Sequence, residues 1–360
     1  MKRLLTPVVV LTLLLSTPAL AQELDVNCTQ TLRTARNTYD QGRLHEIPQI
    51  LQKCLANGFT ETEKIEALKI LVQTYIYLEE PTEADKAMLT LLETDHFFIP
   101  NEQADPIEFI SLYKKFRTKP VWRVGVKFGA LTSGVSVIKN HYVWEESRGK
   151  GKYSSQVGIQ FGGVFEKDLN DRFVLAPEVM YQTANFTYTN DTPLKKDDQG
   201  KTITQQIQDV KKQTRIDLNI LVQYKIGKLG DITDNFIPFV AVGPSIDFLS
   251  SAQSTLTTNV TQLVTGPTLD KLNANYQGVT FSAIGLAGAK LRLGGLYITA
   301  DLRLKFGIGN VVNAKNRFHW EGDTADLAQY GVVDNDFRLS QASFNVGIMI
   351  PKFSPKKLIK

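Results

Sequence analysis

Residues able to do chemistry are few in this 360-residue sequence, and their spacing argues against catalysis. His45, His96, His141 and His319 lie far apart, with no pair four residues apart and no cysteine partner, so no zinc ligand set is spelled out. No G-x-S-x-G turn, phosphate-binding loop or dinucleotide fingerprint occurs. Spacings such as Gly307-Ile308-Gly309 read as strand glycines. A lipid-modifying enzyme would need a His, Ser and Asp set. His141 and His319 are the candidates, and neither has an evident nucleophile. The expectation is a non-enzyme with no metal and no cofactor.

Three other groups carry information. Cys28 and Cys54 are the only cysteines, and in an exported chain two cysteines read as one disulfide; the alternative is two free thiols packed between helices. Arg123, Lys127, Glu178, Arg215, Asp217, Asp301, Arg303 and Lys305 fall on the polar face of alternating segments. They read either as an ion or proton path or as a plug of satisfied salt bridges. The stretches "NHYVWEE" and "NRFHWEGD" each hold a His, aromatics and Glu. His141, Tyr142, Trp144, Phe318, His319 and Trp320 read either as one external binding patch or as an interface girdle with loop packing.

Exported character comes from the first residues. "MKRLLTPVVVLTLLLSTPALAQ" has a basic start, a short apolar stretch and Ala19-Leu20-Ala21 as a cleavage site. The apolar run is shorter than the roughly 20 residues of a membrane anchor. Residues 1–21 are therefore expected to be a signal peptide. Charge is uneven beyond it: residues 22–120 carry a net −5, and the remainder +7. The basic remainder has no interleaved aromatic stripe on a helix, so nucleic acid is not expected as a partner, and lipid phosphates suit its bases better.

Elements that would position these residues fall into two sets. Residues 28–117 show helix-period apolar positions: Leu32, Ala35 and Tyr39, then Ile47, Ile50, Leu51, Cys54 and Leu55. Gly42 and Gly58 end these helices, Thr60 with Glu63 makes a capping box, and Pro81 opens a later helix. Cys28 and Cys54 stand at ends that an antiparallel helix pair brings together. The paired helices resemble tetratricopeptide-type units; a small capping bundle and a peptide-binding groove remain open as readings.

From residue 121 the period changes to two. In "RIDLNILVQYKI" (215–226) Ile216, Leu218, Ile220, Val222, Tyr224 and Ile226 share one face, opposite Arg215, Asp217 and Asn219. Trp122 to Ala130, 157–165, 173–182, 296–308 and 342–350 repeat this, with further strands near 236–248 and 277–291. Such strands suit a transmembrane barrel, in which roughly 9 to 11 tilted residues cross, apolar outward and polar inward. A lipocalin-like soluble barrel would put its apolar face inside. Turns near 166–172, 227–235 and 292–295 are short; those near 137–155, 190–213, 249–276 and 310–338 are long. Pro238 and Pro244 imply an edge or a bulge, and Ile284 and Leu286 stand out of phase.

Eight such strands with "KDLNDRFVLAPEVMYQ" (167–182) resemble the PorT-like outer-membrane β-barrel family of Bacteroidota, with Leu169, Arg172, Phe173, Leu175, Glu178 and Tyr181 matching its strand–turn–strand pattern. The resemblance covers roughly residues 121–350, implies fold and membrane, and points toward gliding or secretion machinery. The helical part is an addition to it, and the chain continues past Phe353 with "SPKKLIK".

The expected fold class is α+β: a small periplasmic all-α, tetratricopeptide-like domain at 22–119, an eight-stranded antiparallel outer-membrane barrel at 120–353, and a basic periplasmic tail at 354–360. The expected function is a barrel that anchors a periplasmic protein-interaction domain. Its expected partners are outer-membrane lipid and a periplasmic or outer-membrane protein. The alternative is ligand capture by the long outer loops.

Overall fold

The structure is a computed structural model, and it describes residues 22–142, 151–196, 202–226, 235–259, 263–269, 272–318 and 332–358. By contacts the chain divides into two compact units. One comprises the residues up to Lys119 together with those from Phe353 onward; the other runs from Pro120 to Lys352.

The first unit is helical: α1 (Gln22–Asp40), a 3₁₀ turn (Leu44–Glu46), α2 (Ile47–Ala56), α3 (Glu61–Tyr77), α4 (Pro81–Thr94) and α5 (Ile107–Tyr113). Its boundaries follow local chemistry. Gly42 has φ +75° just past α1, a conformation that L side chains avoid. Thr60 and Glu63 form the reciprocal capping box that opens α3, and Pro81 stands at the start of α4, where its missing N–H costs nothing. Leu32, Ile47, Leu51, Leu68, Met88, Leu91 and Phe109 form one buried cluster. Burying each such side chain stabilises by roughly 1.5–3 kcal/mol relative to exposure, so this unit has a core of its own.

The second unit is an antiparallel ring of eight long strands: β1 (Trp122–Lys139), β3 (Val157–Asp168), β4 (Phe173–Lys196), β5 (Thr202–Lys225), β6 (Phe236–Asn259), β8 (Val279–Leu293), β9 (Leu296–Ile308) and β10 (Asp336–Lys352). Each pairs with its neighbours in chain order, and β1 closes the ring on β10 from Trp122↔Lys352 to Lys139↔Asp336. Two short strands also pair with ring strands: β2 (Lys152–Ser155) with β4 and β7 (Leu263–Leu269) with β6.

The two faces of β5 show which side of the ring is apolar. Ile216, Leu218, Ile220 and Val222 are 40–55% exposed, whereas Arg215, Asp217 and Asn219 are 2–3% exposed. Apolar side chains outside and charges inside invert the soluble pattern and match a barrel whose solvent is hydrocarbon. Farther along β5 the outward positions turn polar: Lys212, Gln208 and Gln206 are exposed. Only about ten residues of a tilted strand cross a bilayer. The remaining length of β4, β5 and β6, each of 24 residues, therefore continues as polar sheet beyond the apolar band.

Several expectations need correction. Much of 190–213 and 249–276 is strand rather than loop, because Thr, Gln and Asn on the outward face left no apolar alternation to read. Pro238 and Pro244 lie in a strand paired on both sides, not at an edge; opposite Gly243 and Pro244 the β5–β6 ladder skips Ile220 and Leu221. Ile284 and Leu286 keep the inward phase of β8. They are apolar because they pack inside the ring on Ala176, Leu221, Phe239 and Ala241.

Candidate functional site

The ring interior is the site with the most chemistry, and inward parity along each strand builds it. At the short-turn end, Arg123 donates from Nη1 and Nη2 to the two Asp168 carboxylate oxygens, at 2.9 and 3.1 Å. Lys225 Nζ reaches Asp168 at 3.1 Å. Lys290 Nζ donates to Glu166 at 2.5 Å, and Gln223 Nε2 donates to the same carboxylate at 2.8 Å. In the next layer Lys127 Nζ donates to Glu178 at 2.8 Å and to Asp301 at 3.0 Å. Arg303 Nη1 lies 2.8 Å from Glu178, and Asn345 Nδ2 donates to Asp301 at 2.8 Å.

Above this, Lys305 Nζ donates to Asp217 and to Asp247, each at 2.6 Å, and the hydroxyls of Ser245 and Ser282 also donate to Asp247. Toward the long-loop end, Lys211 pairs with Asp209 at 3.0 Å and Asp334 at 2.5 Å, while the Tyr276 hydroxyl donates to Asp334 at 2.8 Å. A buried apolar cluster that includes Phe186, Leu256 and Phe337 lies in the same part of the ring.

Seven of the eight charges expected inside the ring are thus ion-paired. Arg215 is the exception. It is buried, donates to Gln213 and Thr280, and among the described residues has no carboxylate within 4.0 Å. It borders a small cavity shared with Gln182, Asp247, Ser282 and Lys305. Sequence reading missed Glu166, Asp168, Asp209, Lys211, Lys225, Asp247 and Lys290, although the same strand parity marks them, and Asp334, which precedes β10 and carries no strand signal. Leaving a buried charge without a partner costs several kcal/mol, and every one of these charges but Arg215, which has hydrogen bonds to Gln213 and Thr280 instead, meets an opposite charge. The layered alternation of sign therefore produces a filled interior, as expected of an eight-stranded ring just wide enough for side chains.

At the long-loop end the closure of β1 on β10 brings His141 and Phe318 together, ring centroids 6.3 Å apart and edge-on. His141 Nε2 is 2.9 Å from Asp336, its backbone N–H donates to Asn335 Oδ1 at 2.8 Å, and Arg317 contacts both His141 and Asp336. Tyr142 follows on the same segment, half-buried. Trp144, His319 and Trp320 lie outside the described residues.

In the helical unit Cys28 and Cys54 are disulfide-bonded, with Cα atoms 5.6 Å apart. Gly58 explains itself here. Its φ is +136°, and a Cβ at that position would lie 2.6 Å from Cys28 Sγ, so a side chain would collide with the bridge. The Thr29 hydroxyl donates to Glu63 at 2.6 Å and ties α1 to α3 beside it.

A family model described as an outer membrane protein beta-barrel domain matches residues 115–313, more than half of the chain. No curated protein matches the chain. Among solved structures it is similar to Neisserial surface protein A, at 13% identity over 63% of this chain and 96% of that one, TM-score 0.28. It is also similar to OprG from Pseudomonas aeruginosa, at 12% identity over 66% and 98%, TM-score 0.32. The outer membrane enzyme PagL is similar at 13% identity over 64% and 99%, TM-score 0.26. Likeness at this level carries no argument about activity.

Proposed function

This chain belongs to the outer membrane protein beta-barrel domain family, and we propose that its barrel is a closed, non-enzymatic anchor for a periplasmic helical unit that docks a protein partner. The observation that supports this most is the interior. Ion pairs and hydrogen bonds fill it from Asp168 to Asp334 among the described residues, which suits an anchor better than a conduit. Turn lengths support the orientation. The chain enters at Trp122 and leaves at Lys352, paired neighbours at the short-turn end, and in bacterial outer-membrane barrels that end faces the periplasm. A disulfide in the helical unit fits an exported, oxidising compartment, and residues 1–21 would be the signal peptide that directs the chain there.

The finer reading follows the resemblance to PorT-like barrels of Bacteroidota. The tetratricopeptide-like helices would make this chain an accessory of secretion or gliding machinery. Affinity isolation from membranes, with and without residues 22–118, tests the docking role: the partner should be lost with the helices. Purified protein in planar bilayers should show no steady conductance; a stable, large one would replace the anchor by a transport reading. The second reading, capture of a ligand or partner by the outer loops, is supported by the contact between His141 and Phe318, residues of the first and fourth long connections.

A further inference from the structure

The last described residues, Phe353 to Leu358, lie on the helical unit in the manner of a bound peptide. Phe353 is buried between two rings, stacked on His96 with centroids 5.1 Å apart and edge-on to Phe97 at 4.9 Å. The backbone then adds as a short antiparallel strand: Phe116 bridges to Lys357, Arg117 N–H donates to the Lys356 carbonyl at 2.9 Å, and Leu358 N–H donates to the Lys115 carbonyl at 2.8 Å. The Arg117 guanidinium donates to the Ser354 carbonyl. Lys357 Nζ ends the run on Asp85 of α4 at 2.5 Å.

Each component is a known means of holding a peptide: an aromatic anchor in a pocket, main-chain bonds to a strand edge, and a charge pair that sets register. The charges agree, since residues 22–120 carry a net −5, whereas the tail after Phe353 holds Lys356, Lys357 and Lys360 and no acid. More than 200 barrel residues separate this segment from the helices it lies on.

We infer that the surface formed by His96, Phe97, residues 115–117 and Asp85 is a peptide-binding site for an extended basic segment with an aromatic residue four positions before a lysine, and that the C-terminal tail is its resident occupant. A partner's segment of that chemistry displaces the tail. This rests on the docking role proposed above and names the surface and the class of ligand. A tethered tail sits at an effective concentration on the order of millimolar. A free peptide therefore competes poorly until the tail's grip is loosened.

The test uses the full chain in detergent, the same chain ending at Lys352, and a fluorescent peptide with the sequence of residues 353–360. The shortened protein should bind the peptide, and the full chain should bind it about tenfold more weakly or worse. Asp85→Lys in the shortened protein should weaken binding, and a peptide carrying Lys357→Glu should restore it. In the full chain, Phe353→Ala with Lys357→Glu should open the site to the unaltered peptide. The inference is overturned if the folded, shortened protein fails to bind, if both proteins bind equally, or if the charge swap gives no rescue. It is also overturned if removal of the tail abolishes the helical circular dichroism signal, because the tail is then a structural part and not a ligand. Peptide binding without any partner that needs residues 22–118 would leave this site standing and refute the docking role; loss of such a partner without peptide binding would do the reverse.

Discussion

Replacing Glu178 by Gln removes one charge from the middle of the barrel with almost no change in shape. Glu178 accepts from Lys127 at 2.8 Å and lies 2.8 Å from Arg303, with its side chain fully buried. In the variant, two cations share Asp301 alone, at 3.0 Å from Lys127 and 3.6 Å from Arg303. One buried positive charge is left uncompensated. Breaking a buried pair in this way costs roughly 3–5 kcal/mol, because the remaining ion keeps its desolvation penalty. Urea unfolding in phospholipid vesicles, read as the fraction of compact, heat-modifiable protein on a gel, measures the loss. Adding Arg303→Gln restores neutrality in the layer and should recover about half of it, a coupling expected of groups in one network. Glu46→Gln breaks an exposed pair with Arg43 and serves as a control with no measurable change. A loss below about 1 kcal/mol for Glu178→Gln, or a double variant equal to the sum of the singles, refutes the view that the interior is a coupled charge network.

Ile220→Arg, at the centre of the outward apolar run of β5, should destabilise the barrel by roughly 2–4 kcal/mol, whereas Gln208→Arg on the same face should be nearly silent; equal losses would move the membrane band. Thiol labelling of denatured, unreduced protein should find no free cysteine, and reduction should lower the stability of the helical unit by roughly 2–4 kcal/mol; two reactive thiols would contradict the bridge. The Glu63 carboxyl is held below its ordinary range, first by the Thr29 hydroxyl and then by the Thr60 backbone N–H and hydroxyl. A lowered carboxyl stabilises the fold above its ordinary value of 4.5 and loses that contribution as pH falls through the lowered one. Thermal melts of Glu63→Gln should accordingly be flatter than wild type on acidification below that value, and parallel curves would exclude the effect. On the second reading, capture by the outer loops, Trp144→Ala with Trp320→Ala abolishes partner capture while the folded gel band persists; if capture survives or the band itself vanishes, those tryptophans are structural.

Much of this architecture was already legible along the chain, because local physics spells it out. Period-two alternation in 215–226 specifies both faces of a strand whatever its partners, and a uniformly large apolar face facing outward needs a hydrocarbon solvent. Gly42, the Thr60–Glu63 box and Pro81 mark helix ends through backbone geometry that neighbouring residues alone determine. The same parity marked eight buried charges, Arg215 among them.

What only the tertiary structure decided is pairing. Ring closure determines which of many inward charges meet, so Glu166 and Lys290, 124 residues apart, could not be matched from spacing. It also makes Ile284 and Leu286 interior residues, since an inward apolar side chain is indistinguishable in sequence from a slip of phase until Phe239 and Leu221 are seen across from it. The polar continuation of β4 to β6 was hidden because Thr and Gln facing water carry no hydrophobic signal. The tail's place on the helices was invisible for the plainest reason: a contact between residues 353–358 and 85–117 depends on the whole barrel having been threaded between them.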